Sequence, residues 1–350
     1  MSDEYRSLGR TGVRVSPLCL GAMMFGGKTE PFESYAMIDR AIEGGINFID
    51  TANVYTTGRS EEVVGEALQR NGHRDFIVLA TKCHGNMHKE GVNGTSALHA
   101  KLNPNRWGNS RRQIVEQCEA SLKRLKTDRI DLYQIHRPHP DCAIDETLRA
   151  LDDLVRAGKV LSLGCSTYAA WQVVESFWVA KELGLNRFVC EQPPYHLLDR
   201  RIERELLPMA RSYGMAIIPW SPLASGFLTG QYRRGEAAPA QARIQADAGR
   251  GGALLSEASF DVLDRVEAIA AERECTASQV ALAWNMAQPG VTSPIIGPRT
   301  MEQLEDNLGA MQVELTEGDF ASLDEVAPPG RATVEYYSAM FGPHPHRAVT

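Results

Sequence analysis

Three apolar runs of this sequence end on groups that can carry charge or move protons. Phe48-Ile49-Asp50 ends on a carboxylate and is followed at Tyr55 by a phenol. Phe76-Ile77-Val78-Leu79-Ala80-Thr81-Lys82 ends on an amine, and Ile130-Asp131-Leu132-Tyr133-Gln134-Ile135-His136 ends on an imidazole. Short apolar runs of this kind read as buried parallel strands. In a closed parallel barrel all strand exits open on one face, where such folds do their chemistry. A phenol has an unperturbed pKa near ~10 and gives up its proton poorly at neutral pH. A lysine ammonium beside it stabilises phenolate, and a carboxylate keeps that lysine charged and aimed. An imidazole on the far side can position a carbonyl oxygen or assist proton transfer. Asp50, Tyr55, Lys82 and His136 together make a proton donor for a carbonyl that is receiving a hydride.

These four groups need a scaffold that brings strand ends together. Apolar runs recur near 18–21, 46–50, 76–81, 130–136, 160–166, 187–192, 215–220 and 293–296, mostly with segments of helical period between them. Met37, Ile38, Ala41 and Ile42 form one stripe. Ile114, Cys118, Leu122 and Leu125 form a second, opened by a capping box from Ser110 to Gln113. Leu148, Leu151 and Val155 form a third, and Trp171, Val174 and Trp178 a fourth; all are expected to pack in the core. Eight strands alternating with helices predict a single (β/α)8 TIM barrel domain spanning residues 1–350. Residues 5–17, turning at Arg10-Thr11-Gly12, predict a β-hairpin ahead of the first barrel strand. Residues 83–109 and 221–256 are long loops at the carboxyl face, the usual form of lids and binding loops. The stretch from Pro328 onward predicts a third flap.

At 350 residues the chain is long enough for one such barrel. Its net charge of −7 argues against nucleic acid or an anionic membrane as the main partner. No stretch of ~18 apolar residues is present, so no transmembrane helix is expected, and the polar start Met1-Ser2-Asp3-Glu4 is not a secretory signal. The seven cysteines are scattered, odd in number and without a CxxC pair, which reads as buried thiols in a reducing cytoplasm.

Several motifs come close to other chemistries and miss. Between Gly21 and Gly27-Lys28-Thr29 the spacing is one residue too long for a phosphate-binding P-loop. Gly164-Cys165-Ser166-Thr167-Tyr168 lacks the closing glycine of a nucleophile elbow. No GxGxxG follows a strand, so a Rossmann domain is not indicated. His136 and His139 are separated by Pro138 and do not share a helix face, and no metal site is expected. His84 and His88 fall in a polar loop and are expected to be solvated. A metal-dependent barrel hydrolase built on Asp50 and His136 is the rival enzyme class.

As an ordered set, the motifs resemble the aldo-keto reductase superfamily over almost the whole length. The resemblance rests on Gly45-Ile-Asn-Phe-Ile-Asp50-Thr-Ala-Asn-Val-Tyr55, Gly58-Arg-Ser60-Glu61, Ala80-Thr-Lys82 and Asp131-Leu-Tyr-Gln-Ile-His136-Arg-Pro. It continues through Gly164-Cys-Ser166, Gln192-Pro-Pro-Tyr195, Trp220-Ser-Pro-Leu-Ala-Ser-Gly226 and Ile296-Gly-Pro-Arg299 with Gln303 and Asn307. The subgroup resembles bacterial reductases related to potassium-channel β subunits rather than the mammalian aldose reductases. It implies reversible, NADPH-dependent reduction of a small aldehyde or ketone, with Asp50, Tyr55, Lys82 and His136 as catalytic tetrad. It also implies that Ser166 and Gln192 bind the nicotinamide carboxamide, Trp220 stacks on that ring, and Ser221, Leu223 and Gly226 cover the pyrophosphate. Gly297, Arg299, Gln303 and Asn307 match the adenosine-phosphate site, where a helix beginning at Thr300 would offer free N–H groups. Two departures stand out: Thr167 where members commonly carry asparagine, and Gly297 where many carry lysine, which transfers the 2′-phosphate contact to Arg299. The alternative implied by the channel subunits is an NADPH-binding regulatory protein with little turnover. The sequence leaves the substrate and homo-oligomer formation open.

Overall fold

Eight short parallel strands occupy the eight apolar runs, and their order in space is their order in sequence. A computed structural model describes residues 5–87, 98, 101, 105–236 and 253–334. A hairpin of β1 (Arg6–Ser7) and β2 (Arg14–Val15) comes first. The barrel strands follow as β3 (Cys19–Gly21), β4 (Phe48–Asp50), β5 (Val78–Cys83), β6 (Ile130–Ile135), β7 (Val160–Ser166), β8 (Phe188–Gln192), β9 (Ala216–Ile217) and β10 (Ile295–Ile296). From β3 to β9 each pairs in parallel with the next, and β10 pairs in parallel with β3. Between β9 and β10, Thr292 N–H donates to Ile217 O at 2.7 Å and Ile295 N–H to Pro219 O at 2.8 Å. These bonds close the sheet into a (β/α)8 barrel.

Strand alternation splits the side chains between two cores. Inward-facing Cys19, Phe48, Val78, Ala80, Leu132, Cys190, Ala216, Ile218 and Ile295 fill the barrel interior. Leu8 and Val15 of the hairpin join this cluster and plug the amino-terminal end. Gly9, at φ 59°, makes that plug possible, because a Cβ there would lie 2.5 Å from the Val189 carbonyl oxygen. The larger outer core lies between the strands and the helices.

The helices are α1 (Pro31–Glu43), α2 (Arg59–Asn71), α3 (Arg111–Arg124), α4 (Ile144–Arg156), α5 (Ala170–Leu183), α6 (Leu206–Tyr213), α7 (Glu257–Glu272), α8 (Ala277–Ala287), α9 (Met301–Gly309) and α10 (Glu317–Val326). The expected stripes of α1, α3 and α4 face the core, with Ile42 and Val155 only partly buried. That of α5 does so only through the partly buried Val174. Trp171 and Trp178 are exposed, and Val173, Phe177 and Ala180 are buried in their place. The apolar pattern of α5 is nearly continuous around the helix, so periodicity alone could not choose its inner face. The capping box of α3 is half formed. Ser110 Oγ accepts from Gln113 N–H at 3.4 Å, while the Gln113 amide is buried without a partner of its own.

Among the described residues no helix is long and apolar enough to cross a membrane. All seven cysteines are free; Cys19, Cys83, Cys118, Cys165 and Cys190 are buried, and Cys142 and Cys275 are partly buried. After Pro328 the chain is tied to the loop beyond β8, with Arg200 N–H donating to Arg331 O at 2.8 Å and Thr333 N–H to Leu198 O at 2.9 Å. Of the expected loops and flap, residues 88–97, 99, 100, 102–104, 237–252 and 335–350, His88 among them, lie outside the described residues.

Candidate active site

The polar layer of the barrel begins where the apolar interior stops. Asp50 ends β4, Lys82 lies near the end of β5 and both are buried. In β6, period two puts Leu132, Gln134 and the following His136 on the interior face. Lys82 Nζ forms an ion pair with Asp50 Oδ2, donates to Thr51 O at 2.9 Å and reaches the Tyr55 hydroxyl at 3.1 Å. Burial works against the Lys82 ammonium, but the charge of Asp50 and the bond to Tyr55 outweigh it, and its pKa lies above the ordinary lysine value.

Tyr55 reaches Lys82 because the loop after β4 is hung on β5. Thr51 N–H donates to Ala80 O at 2.9 Å and Asn53 N–H to Lys82 O at 3.1 Å. The chain then turns sharply through Thr56 and Thr57, at φ 45° and 56°, into α2. Backbone in this region is costly for β-branched residues and persists only where its surroundings impose it. Ser60 helps impose it, donating to Ala22 O at 2.7 Å and sharing a 2.8 Å hydrogen bond with Thr51.

His136 packs edge-on to Tyr55, with ring centroids 5.7 Å apart and an interplanar angle of 82°. Burial, then the charges of Lys82 and Arg137, push its pKa well below the usual histidine value. The imidazole is therefore neutral at physiological pH and keeps one N–H and one acceptor nitrogen. The four groups expected to act together are thus brought together.

His84 departs from expectation. It is not a solvated loop residue: one ring nitrogen lies 2.8 Å from Asn109 Oδ1, and the ring packs edge-on to Trp107 and His139 at centroid distances of 5.7 and 5.9 Å. Burial pushes its pKa down to about 4.

The groups matched to a dinucleotide lie at the exits of β7 to β10. Ser166 Oγ donates to Gln192 O at 2.8 Å and accepts from Arg137 at 3.3 Å. The Gln192 amide nitrogen is held by Asp50 Oδ1 at 3.0 Å and Gln134 Oε1 at 3.2 Å, which leaves its amide oxygen to accept from a ligand. Trp220 is partly buried just beyond β9. From there the backbone coils tightly, with Ser221, Ala224, Ser225 and Gly226 at φ 55°, 48°, 57° and 88°. Within this coil Ala224 N–H donates to Ser221 O and Gly226 N–H to Leu223 O, both at 2.9 Å. A Cβ at Gly297 would meet nothing within 4 Å, so this position leaves open space. Arg299 precedes the α9 N-cap Thr300; its N–H is accepted by Gln303 Oε1 at 2.9 Å, and Thr29 Oγ1 donates to its carbonyl at 2.9 Å. Asn307 is buried on the same helix. A stacking surface, an amide acceptor and an arginine at a helix start fit a nicotinamide dinucleotide.

Residues 17–328 match the model of the aldo/keto reductase family. The chain belongs to the aldo-keto reductase family. It is 38% identical over 343 residues to a Bacillus subtilis protein named uncharacterized oxidoreductase YrpG, covering 96% of this chain and 99% of that one. It is 36% identical over 315 residues to a probable voltage-gated potassium channel subunit beta of Oryza sativa subsp. japonica, covering 89% and 92%. It is 35% identical over 336 residues to versiconal hemiacetal acetate reductase of Aspergillus parasiticus, covering 92% and 96%. This aldo-keto reductase is an oxidoreductase acting on carbonyl and alcohol groups, in a family that generally uses NAD(P)H.

Reading the sequence for strand-end groups passes over Gln134. Its amide nitrogen donates to Asp50 Oδ1 at 2.9 Å, so three donors converge on the Asp50 carboxylate of this reductase: Lys82, Gln134 and Gln192. Gly164, paired with Gln134 in register, supplies the room; a Cβ there would lie 2.9 Å from Gln134 Cγ. The signal in the sequence was period two, since Gln134 stands two residues before His136 on the same strand face.

Proposed function

We propose that this aldo-keto reductase transfers a hydride between NADPH and the carbonyl carbon of an aldehyde or ketone, reversibly, with Tyr55 as the proton donor to the carbonyl oxygen. The observation that carries the reading is the buried Lys82 ammonium bridging the Asp50 carboxylate and the Tyr55 hydroxyl. When bound, the reduced nicotinamide supplies the hydride. As the hydride reaches carbon, the carbonyl oxygen takes the Tyr55 proton, and the phenolate left behind is stabilised by the adjacent ammonium. Asp50, fixed by Gln134 and Gln192, aims Lys82 at that oxygen. Neutral His136 has an N–H to offer the carbonyl oxygen and orients it toward Tyr55.

Ser166 and Gln192 are assigned to the nicotinamide carboxamide and Trp220 to the ring face. Ser221, Leu223 and Gly226 are assigned to the pyrophosphate, and Gly297, Arg299, Gln303 and Asn307 to the adenosine end. Arg299 supports NADPH over NADH, because a guanidinium fork matches a phosphate monoester. The five buried reduced thiols suit the cytoplasm.

Incubating the pure protein with NADPH and a panel of aldehydes, ketones, keto-sugars and keto-steroids, and following the absorbance of the reduced cofactor, tests the reading. Carbonyl-dependent oxidation is expected; tight NADPH binding with no oxidation across the panel would favour a binding subunit instead. That second reading is favoured by one observation, the 36% identity to a protein named as a potassium channel subunit.

A further inference from the structure

Glu191 is fully buried and takes no part in the tetrad. It precedes Gln192 in β8, and strand alternation turns it to the opposite face, toward the turn after β7. There Oε1 accepts from Tyr168 N–H at 3.1 Å, while Oε2 has no hydrogen-bond partner.

That turn is strained. Thr167 stands at φ 59°, left-handed backbone that a β-branched residue adopts only under constraint. The constraint comes from two adjacent residues of β8. Gln192 O accepts from Ser166 Oγ at 2.8 Å and from Thr167 N–H at 3.2 Å, and the Glu191 carboxyl takes the next N–H, that of Tyr168. Three consecutive residues of one strand end are thus clamped by two of its neighbour, and the first of the three is Ser166.

We propose that Glu191 is a positioning residue for the cofactor, its carboxyl holding the Thr167–Tyr168 turn so that the Ser166 hydroxyl stays where it can meet the nicotinamide carboxamide. This rests on the assignment of Ser166 and Gln192 made under the proposed function. Burial pushes the Glu191 pKa well up, against the smaller opposing effects of the Tyr168 and Thr167 N–H groups and of Arg137. The thiols of Cys165 and Cys190 also lie within its electrostatic reach. Through Oε1 the carboxyl accepts the Tyr168 N–H hydrogen bond, a task a glutamine can take over. A carboxyl that merely filled space would be replaced as well by leucine.

The test compares wild type, Glu191→Gln and Glu191→Leu by NADPH titration through tryptophan fluorescence, by kcat and KM, and by thermal melting. Glu191→Gln is expected to stay within about threefold of wild-type NADPH affinity, and Glu191→Leu to lose about tenfold, the scale of one buried hydrogen bond. The loss should fall on KM for NADPH more than on kcat. Thr167→Gly, which relaxes the left-handed position, should shrink the penalty of Glu191→Leu in the double variant. If Glu191→Leu does not fold, Glu191→Met replaces it, filling the space with a flexible chain and no comparable acceptor. Wild-type affinity in the Leu or Met variant would overturn the inference, as would a Gln variant as weak as Leu. Failure of the wild type itself to bind NADPH would instead overturn the functional reading beneath it.

Discussion

Lys82 Nζ lies 3.1 Å from the Tyr55 hydroxyl and 4.8 Å from the centroid of the same ring, so one ammonium meets both the acid and its π-face. If this contact makes Tyr55 the general acid, removing the hydroxyl must harm the transition state far more than the ground state. Tyr55→Phe should lower kcat by at least ~100-fold and leave NADPH affinity near wild type. Stopped-flow turnover and fluorescence titration measure the two quantities, and near-normal turnover would remove Tyr55 from its role.

The Lys82–Asp50 pair should behave as one device. Lys82→Met is expected to abolish most activity. Asp50→Asn should cost less, because the ammonium survives beside Tyr55. The double variant should be little worse than Lys82→Met, since groups sharing one task lose it once. A full kinetic cycle on the four proteins gives the answer, and additive losses would mean separate tasks.

Cofactor choice should depend on Arg299, far from the reacting carbon. Charge-assisted hydrogen bonds contribute about 1.5–3 kcal/mol, so Arg299→Ala should weaken NADPH roughly 10- to 100-fold. NADH, without the ribose phosphate, should change much less. Parallel titrations of both cofactors decide it; an equal loss would mean that Arg299 supports the fold or stacks on adenine, with no part in choosing the phosphate.

Acid stability should depend in part on His196. This buried histidine accepts Leu198 N–H at 3.2 Å through Nδ1, and burial lowers its pKa to about 4. An unfolded histidine titrates near ~6.5. As pH falls through that value the unfolded state takes up a proton that the native state refuses until about 4. Stability is therefore intact above ~6.5 and declines on acidification, by about 2 kcal/mol at about pH 5. His196→Asn, which keeps an acceptor for Leu198 N–H, should remove most of that decline in urea titrations at the two pH values. An unchanged slope would assign the acid lability to other groups such as His84.

The strands and the meeting of Asp50, Lys82 and His136 at one barrel face were legible because each rests on a local signal, an apolar run ending on one of these residues. The hairpin was legible from its turn residues. What depends on neighbours across the barrel was not. Gln134 matters because Gly164 leaves it room and Asp50 lies within reach, and Glu191 because Tyr168 N–H faces it. The inner face of α5 was misread because its tryptophans are apolar yet point outward, where Lys181 stacks on Trp178 at 5.2 Å. His84 was misread because a polar loop can still bury a ring between others.

The cysteines turn the barrel into its own gauge. Cys19 and Cys190 lie inside the strand ring, Cys83, Cys118 and Cys165 between strands and helices, and burial raises every one of these five thiol pKa values. A maleimide or iodoacetamide reacts with thiolate that it can touch. In the closed barrel only Cys142 and Cys275 offer partial access. The order in which the remaining five become labelled over time therefore reads out which layer opens first, with native thiols as the reporters and no residue exchanged.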